Sequence, residues 1–191
     1  MPRMMVSVMS EQLNRILQAR AGGAVQRCHT VRHFGSYSVA EHSWGVAMLV
    51  LQLYPEHFTA LAAYALVHDV PEGLTGDIPS TAKADDGMLD DAINRRFGLP
   101  STSELNPIRH AILKSCDRLE LYLWAYEQAA MGNRFADEIQ TNLLDMFNRS
   151  QPESGLDIRA HSFFHNHIKN KSCVPDRVGL LNKIKEQYDI K

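Results

Sequence analysis

The 191-residue chain predicts an all-α fold on three observations. Apolar residues recur at helical spacing almost throughout. No stretch shows the convincing alternation of a half-buried strand. Proline, glycine and asparagine stand where helices start and stop.

The elements follow in order. Leu13, Ile16 and Leu17 make a short amphipathic helix that Gly22-Gly23 ends as a C-cap. A loop from Val25 to Tyr37 carries Arg27, Cys28, His29, Arg32 and His33. Val39, His42, Val46, Leu49 and Leu53 then fall on one helical stripe, closed by Pro55. Leu61, Ala65 and His68 form the next stripe, and Pro71 marks its end, which puts His68 and Asp69 at a helix C-terminus. From Pro71 to about Asp86, Gly73, Gly76 and Pro79 interrupt the chain too often for regular structure, so this segment reads as an irregular loop. A helix covers Met88 to Phe97. The longest helix starts with Asn106 as cap and Pro107 at its first position and runs to about Met131-Gly132. Leu113, Asp117, Leu121 and Trp124 share one of its faces. Phe135, Ile139, Leu143 and Phe147 mark a further helix, and Asp157 and Asp176 are caps for two C-terminal helices. With no repeat, low-complexity tract or long linker, residues 1–191 form one domain. Its motif-bearing core is about 26–130 and its C-terminal helices about 133–191.

Composition narrows the function classes. An apolar fraction of 45% and a charged fraction of 22% describe an ordinary globular protein. A net charge of −2 gives no global attraction to nucleic acid or anionic membrane. Three widely spaced cysteines (Cys28, Cys116 and Cys173) without a C-x-x-C pair argue against a disulfide framework and for a reducing compartment. No run approaches the ~20 apolar residues of a membrane span, and the N-terminus lacks a signal-peptide core.

The chemistry lies in four residues. His42, the adjacent His68-Asp69, and Asp117 offer two imidazoles and two carboxylates, enough for one divalent metal ion with room left for water and phosphate oxygens. Each polar group interrupts an otherwise apolar helical face. A carboxylate there, as at Asp117, needs a cation nearby or shifts its pKa. Glu41 is expected to face solvent. Arg27 offers a planar fork for phosphate and Lys83 a point charge. His161, His165 and His167 lack carboxylates at metal-site spacing and read as a solvated helix face.

The run from His68 to Pro79 fits H-D-x-x-E-x-x-x-G-D-[IL]-P. With the upstream Glu41-His42-Ser43 and the downstream Asp117, it resembles the HD superfamily of metal-dependent phosphohydrolases. The branch is that of bacterial 5'-deoxynucleotidases and phage dATP triphosphohydrolases, and the resemblance runs from about Gln26 to about Ala130. It implies a helical bundle with the metal between helices, held by His42, His68, Asp69 and Asp117. It further implies an acid/base role for Glu72, with Asp77 handling the sugar or the attacking water. Arg27, His29, His33, Thr75 and Lys83 fall on the substrate side. Relatives carry an Arg-Trp pair where this chain has Arg27-Cys28, and the resemblance implies that part of the Trp's stacking role falls to His29 or His33.

The implied reaction cleaves the 5'-phosphoester of a 2'-deoxynucleotide. It releases the deoxynucleoside with phosphate, or with triphosphate from a substrate such as dATP. The implied cofactor is one ion of Mn²⁺, Co²⁺, Zn²⁺, Fe²⁺ or Ni²⁺, with Mg²⁺ as an optional second ion on substrate phosphates. The implied partners are a small deoxynucleotide and further copies of the chain, as dimer or hexamer, with no nucleic acid and no membrane. The implied location is the cytoplasm of a bacterium or of a phage host. Two alternatives stay open: a non-catalytic nucleotide-binding protein that keeps the HD shell, and an HD phosphodiesterase acting on cyclic nucleotides.

Overall fold

Local caps set the helices that carry the site. In the computed structural model, which describes residues 2–78, 87–149, 159–164 and 177–188, helix α1 spans Pro2–Gly23 and α2 spans Val39–Leu53. Ser38 and Glu41 close a capping box on α2: the Ser38 hydroxyl accepts from the Glu41 N–H at 3.2 Å, and the Glu41 carboxylate accepts from the Ser38 N–H at 2.7 Å. Glu41 is exposed, as expected, but its carboxylate has this structural task. Pro55 both stops α2 and opens α3, Pro55–Val67. One helical turn, α4, spans Glu72–Thr75, and α5 spans Met88–Phe97. The longest helix is α6, Pro107–Ala130, where the Asn106 side chain accepts from the Arg109 N–H at 2.9 Å. A 3₁₀ turn at Arg134–Ala136 leads into α7, Asp137–Arg149; α8 is Arg159–Phe163 and α9 is Arg177–Gln187.

The architecture is a helical bundle around α6, against which α2, α3, α7 and α8 pack. The core joins Val46, Val50 and Tyr54 to Leu61 and Ala65, to Ile112, Leu113, Cys116 and Leu119, and to Phe147 and Phe164. The Tyr54 hydroxyl accepts from the Ala160 N–H at 2.7 Å and ties α8 to the α2–α3 corner. The only β pairing among the described residues is one isolated bridge, Gln26 to Ser38, which closes the base of the loop between α1 and α2. No described helix is long and apolar enough to cross a membrane.

The structure corrects three local expectations. Helix α1 is longer than its apolar stripe suggests, and Leu13, Ile16 and Leu17 are exposed rather than packed inward. The helix is anchored instead by its last turn. Gly22 and Gly23 end it without the left-handed cap conformation. Gly22 serves close approach: a Cβ there would lie 2.4 Å from the Val70 carbonyl oxygen, and one on Gly73 would lie 2.8 Å from Gly22 Cα. Glycine against glycine brings α1 onto α4. Secondly, the segment after Pro71 is not irregular at its start, because Glu72–Thr75 complete a helical turn that Gly76 ends at φ +76°. Thirdly, Phe135 lies in the 3₁₀ turn and is exposed, while Leu143 and Phe147 are buried. Glu72, to which the resemblance gives an acid/base role, is buried. Pro79, Lys83, Asp157, His165, His167, Cys173 and Asp176 lie outside the described residues.

Candidate metal centre

Three segments converge where α2 crosses α6. His42 projects from α2, fully buried between the Val39 and Val46 positions of its stripe. His68 and Asp69 occupy the turn that follows α3, and Asp117 comes from the middle of α6. The two Nε2 atoms of His42 and His68 face each other at 3.3 Å. Asp117 Oδ1 lies 3.1 Å from His42 Nε2 and 3.9 Å from His68 Nε2. Asp69 Oδ2 lies 3.6 Å and 3.5 Å from the same nitrogens. Donors bound about 2.0–2.2 Å from one ion are themselves roughly 3–3.5 Å apart, so these spacings suit a shared cation.

The outer nitrogens sharpen this reading. His68 Nδ1 donates to the Ala65 carbonyl oxygen at 2.9 Å. His42 Nδ1 meets the Glu120 carboxylate, and the Tyr37 hydroxyl lies 3.1 Å from the same nitrogen. With both Nδ1 atoms engaged, each ring turns Nε2 to the shared centre, the form a metal-binding histidine takes. Asp117 is held from its other side, since Oδ2 accepts from Lys114 Nζ at 3.0 Å. His42, His68, Asp69 and Asp117 could therefore hold one divalent ion.

Electrostatics agrees. Burial pushes the Asp117 carboxyl up, but hydrogen bonds from His42 and His68 and the charge of Lys114 hold it well below the carboxylate range. Burial likewise opposes ionisation of Asp69, and the charges of His68 and Arg27 overcome it. For His42, burial pulls the imidazole down, while hydrogen bonds to Asp117 and Glu120 raise it to about 9. Both carboxylates are held toward the anionic form that a bound cation requires.

Around this cluster, the loop between α1 and α2 supplies the cation. Arg27 is buried, pairs with Asp69 through Nη1, and lies 3.9 Å from Glu72 Oε2. Its Nε has no hydrogen-bond partner among the described residues. Burial works against the charge of Arg27, but Asp69 and its other acidic neighbours keep it raised. Asp77 accepts from the Cys28 N–H at 2.7 Å, and Cys28 takes the left-handed conformation, φ +53°, to present it. His29 Nδ1 is 3.5 Å from the same carboxylate. Thr75 is half-buried in the turn and donates to the Gly76 carbonyl at 3.2 Å. His33 packs edge-on against Trp124, with ring centres 5.4 Å apart.

Arg27, His42, His68, Asp69, Glu72 and Asp117 thus form one cluster, while Asp77 and His29 meet at Cys28. The residues that sequence reasoning missed are Tyr37, Lys114 and Glu120. Glu120 follows Asp117 at i+3 on one helical face, a spacing that signals two acids aimed at the same place.

The model of the family described as YfbR-like 5'-deoxynucleotidase matches residues 22–97. An uncharacterised protein of Rhodobacter capsulatus is 38% identical over 112 residues, covering 54% of this chain and 56% of the relative. A dATP triphosphohydrolase of Salmonella phage PMBT28 is 33% identical over 120 residues, covering 54% of this chain and 61% of the relative. The chain therefore spans less than two thirds of the length of these curated relatives. Two solved structures share the fold. The cyanophage S-2L HD phosphohydrolase DatZ, bound to dA and one catalytic Zn²⁺, superposes with a TM-score of 0.62 at 19% identity, covering 89% of this chain and 96% of that one. An HD-domain phosphohydrolase of Listeria innocua gives 0.60 at 18% identity, covering 92% and 90%. Over residues 22–97, which carry His42, His68 and Asp69, the chain is similar to the YfbR-like 5'-deoxynucleotidase family.

Proposed function

We propose that the protein hydrolyses the 5'-phosphoester of 2'-deoxynucleotides, with one divalent metal ion held by His42, His68, Asp69 and Asp117. The observation that carries the reading is the pair of Nε2 atoms, 3.3 Å apart and flanked by two carboxylates, with both Nδ1 atoms already engaged. When bound, the ion supplies Lewis acidity toward a phosphate oxygen and water. Arg27 turns its fork from Asp69 to the α-phosphate oxygens and stabilises charge there as the bond breaks. Lys83 adds a second cation. Glu72 takes and returns the proton, helped by burial beside Arg27. Asp77, fixed by the Cys28 N–H, receives the sugar or orients water. Thr75, His29 and His33 line the approach of the nucleoside.

Both a monophosphate and a triphosphate present this scissile bond, and the phage relative is a dATP triphosphohydrolase. The ion is a transition metal such as Mn²⁺, Co²⁺, Zn²⁺, Fe²⁺ or Ni²⁺; the cyanophage neighbour carries Zn²⁺. The nucleotide pool places this work in the cytoplasm. Self-association is supported by the exposed side chains of Met9, Leu13, Ile16 and Leu17, which lie on one face of α1.

The test is a panel of dNMPs, dNTPs and their ribose counterparts with chromatographic product analysis, run on wild type and Asp117→Ala. Expected are deoxynucleoside products, a preference for deoxyribose, and loss of both metal and turnover in the variant. Equal kcat/KM for AMP and dAMP, and for ATP and dATP, rejects the substrate class. Full metal content and rate in Asp117→Ala rejects the site.

A further inference from the structure

We propose that Glu120 is a positioning residue for the metal centre, seated in a gap that Gly45 leaves on α2 and tied to Tyr37, and that this seat fixes the His42 ring so that Nε2 is offered to the ion. The inference rests on the metal site proposed above, but on none of its substrate assignments.

The geometry begins with two helices that each give two residues at i, i+3. On α2 these are His42 and Gly45; on α6 they are Asp117 and Glu120. The outer residue of each pair answers the other. A Cβ on Gly45 would lie 2.7 Å from Glu120 Cγ, 2.9 Å from its Oε1 and 3.1 Å from its Cδ. Glycine inside a helix costs roughly 0.5–1 kcal/mol relative to alanine, and here the vacant side-chain space is filled by the Glu120 stem. That packing delivers Oε2 to His42 Nδ1. The same oxygen accepts from the Tyr37 hydroxyl at 2.5 Å, and Tyr37 is itself held by stacking on Trp124, with ring centres 4.6 Å apart and planes 13° from parallel. The stack stops the phenol from swinging away. Glu120 is thus pinned at its stem by α2 and at its head by two partners.

The consequence follows from imidazole chemistry. A neutral imidazole has one N–H and one lone pair. A carboxylate at Nδ1 keeps the proton on that nitrogen, which leaves the Nε2 lone pair for the ion and raises its basicity. Asp117 and Glu120 therefore divide the labour of one helix face: one donates to the ion directly, and the other acts through His42.

The experiment measures Co²⁺ affinity of metal-depleted protein by competition with a chromophoric chelator. The variants are Glu120→Ala, Glu120→Gln, Gly45→Ala and Tyr37→Phe, with Asp117→Ala as a control for the site itself. Loss of a residue that supports a ligand weakens metal binding by about 10–100-fold, and Glu120→Ala should fall in that range. Glu120→Gln keeps an acceptor for the Nδ1 proton without the charge and should recover part of the loss. Gly45→Ala is the decisive variant, because its new methyl meets the Glu120 side chain first, at Cγ, Oε1 and Cδ, and that side chain can turn aside. The fold can yield by moving Glu120, so Co²⁺ affinity should drop while the metal-free protein keeps its unfolding midpoint. Tyr37→Phe should show a smaller drop in the same direction. Wild-type affinity in both Gly45→Ala and Glu120→Gln, with Asp117→Ala having lost the ion, overturns the role of Glu120 and leaves the site standing. Wild-type affinity in Asp117→Ala removes the site, and this proposal with it.

Discussion

Arg27 is paired with a proposed metal ligand. It contacts Asp69 and lies near Glu72, so its charge is balanced inside the protein. Removing it should cost the contact to substrate, about 1.5–3 kcal/mol for a charged hydrogen bond, or roughly ten- to hundredfold in kcat/KM. If Arg27 grips the α-phosphate, Arg27→Ala damages dAMP and dATP hydrolysis equally; a selective loss with dATP would move its contact outward to the β- and γ-phosphates. Glu72→Gln is expected to keep the bound ion and lower kcat by ~10²–10⁴, and an unaltered rate would assign proton transfer to another group. Of the four proposed ligands, His42, His68 and Asp117 were legible in the sequence because each breaks an apolar stripe, as Asp117 does between Leu113 and Leu121, and Asp69 because it completes the His-Asp pair of the motif. Glu120 was not, because a glutamate on a long helix ordinarily reads as solvated. Its seat depends on Gly45, 75 positions upstream, and that pairing exists only once α2 lies on α6. Tyr37 was hidden for the same reason: its hydroxyl partner is 83 residues away.

At the scale of elements, local chemistry was readable and long-range fit was not. Pro55, Asn106 and Pro107 announced their helix boundaries, and the Met88–Phe97 helix has the expected ends. The role of Gly22 was misread as a cap because a glycine pair after a helix looks the same whether it supplies an unusual φ or simply no side chain. The α1–α4 crossing makes the difference measurable. Gly73→Ala puts a methyl against the backbone of Gly22, which cannot rotate out of the way. It should destabilise the fold by about 1–3 kcal/mol and slow turnover as well, since Glu72 is the adjacent residue. Ser38→Ala removes one hydroxyl of the capping box and should cost about 1 kcal/mol without changing metal content. Denaturant unfolding of both variants, alongside elemental analysis, checks the contrast. Equal stability of Gly73→Ala and wild type would mean that α1 can lift from α4 without penalty.

For the whole molecule, the ion would join three segments that the chain alone brings together only through helix packing. A ligand bound to the native state alone stabilises it by about 2.7 kcal/mol at a hundred times its dissociation constant. For a chain of this size that corresponds to roughly 5–10 °C in Tm. Treatment with a chelator should lower the midpoint of wild type by this amount and leave Asp117→Ala where it was; an unchanged wild-type midpoint would show that no ion of that affinity is held. The spacing of the ligands also has a meaning in time. His42 and Asp117 are 75 residues apart, and synthesis at about 5–20 residues per second separates their appearance by roughly 4–15 s. From residue 69 onward a growing polypeptide displays two imidazoles and one carboxylate but neither the second carboxylate nor the brace beside it. Capture of the proposed ion would therefore come late in the life of each new molecule, and ribosome-stalled chains that stop short of α6 should emerge without it.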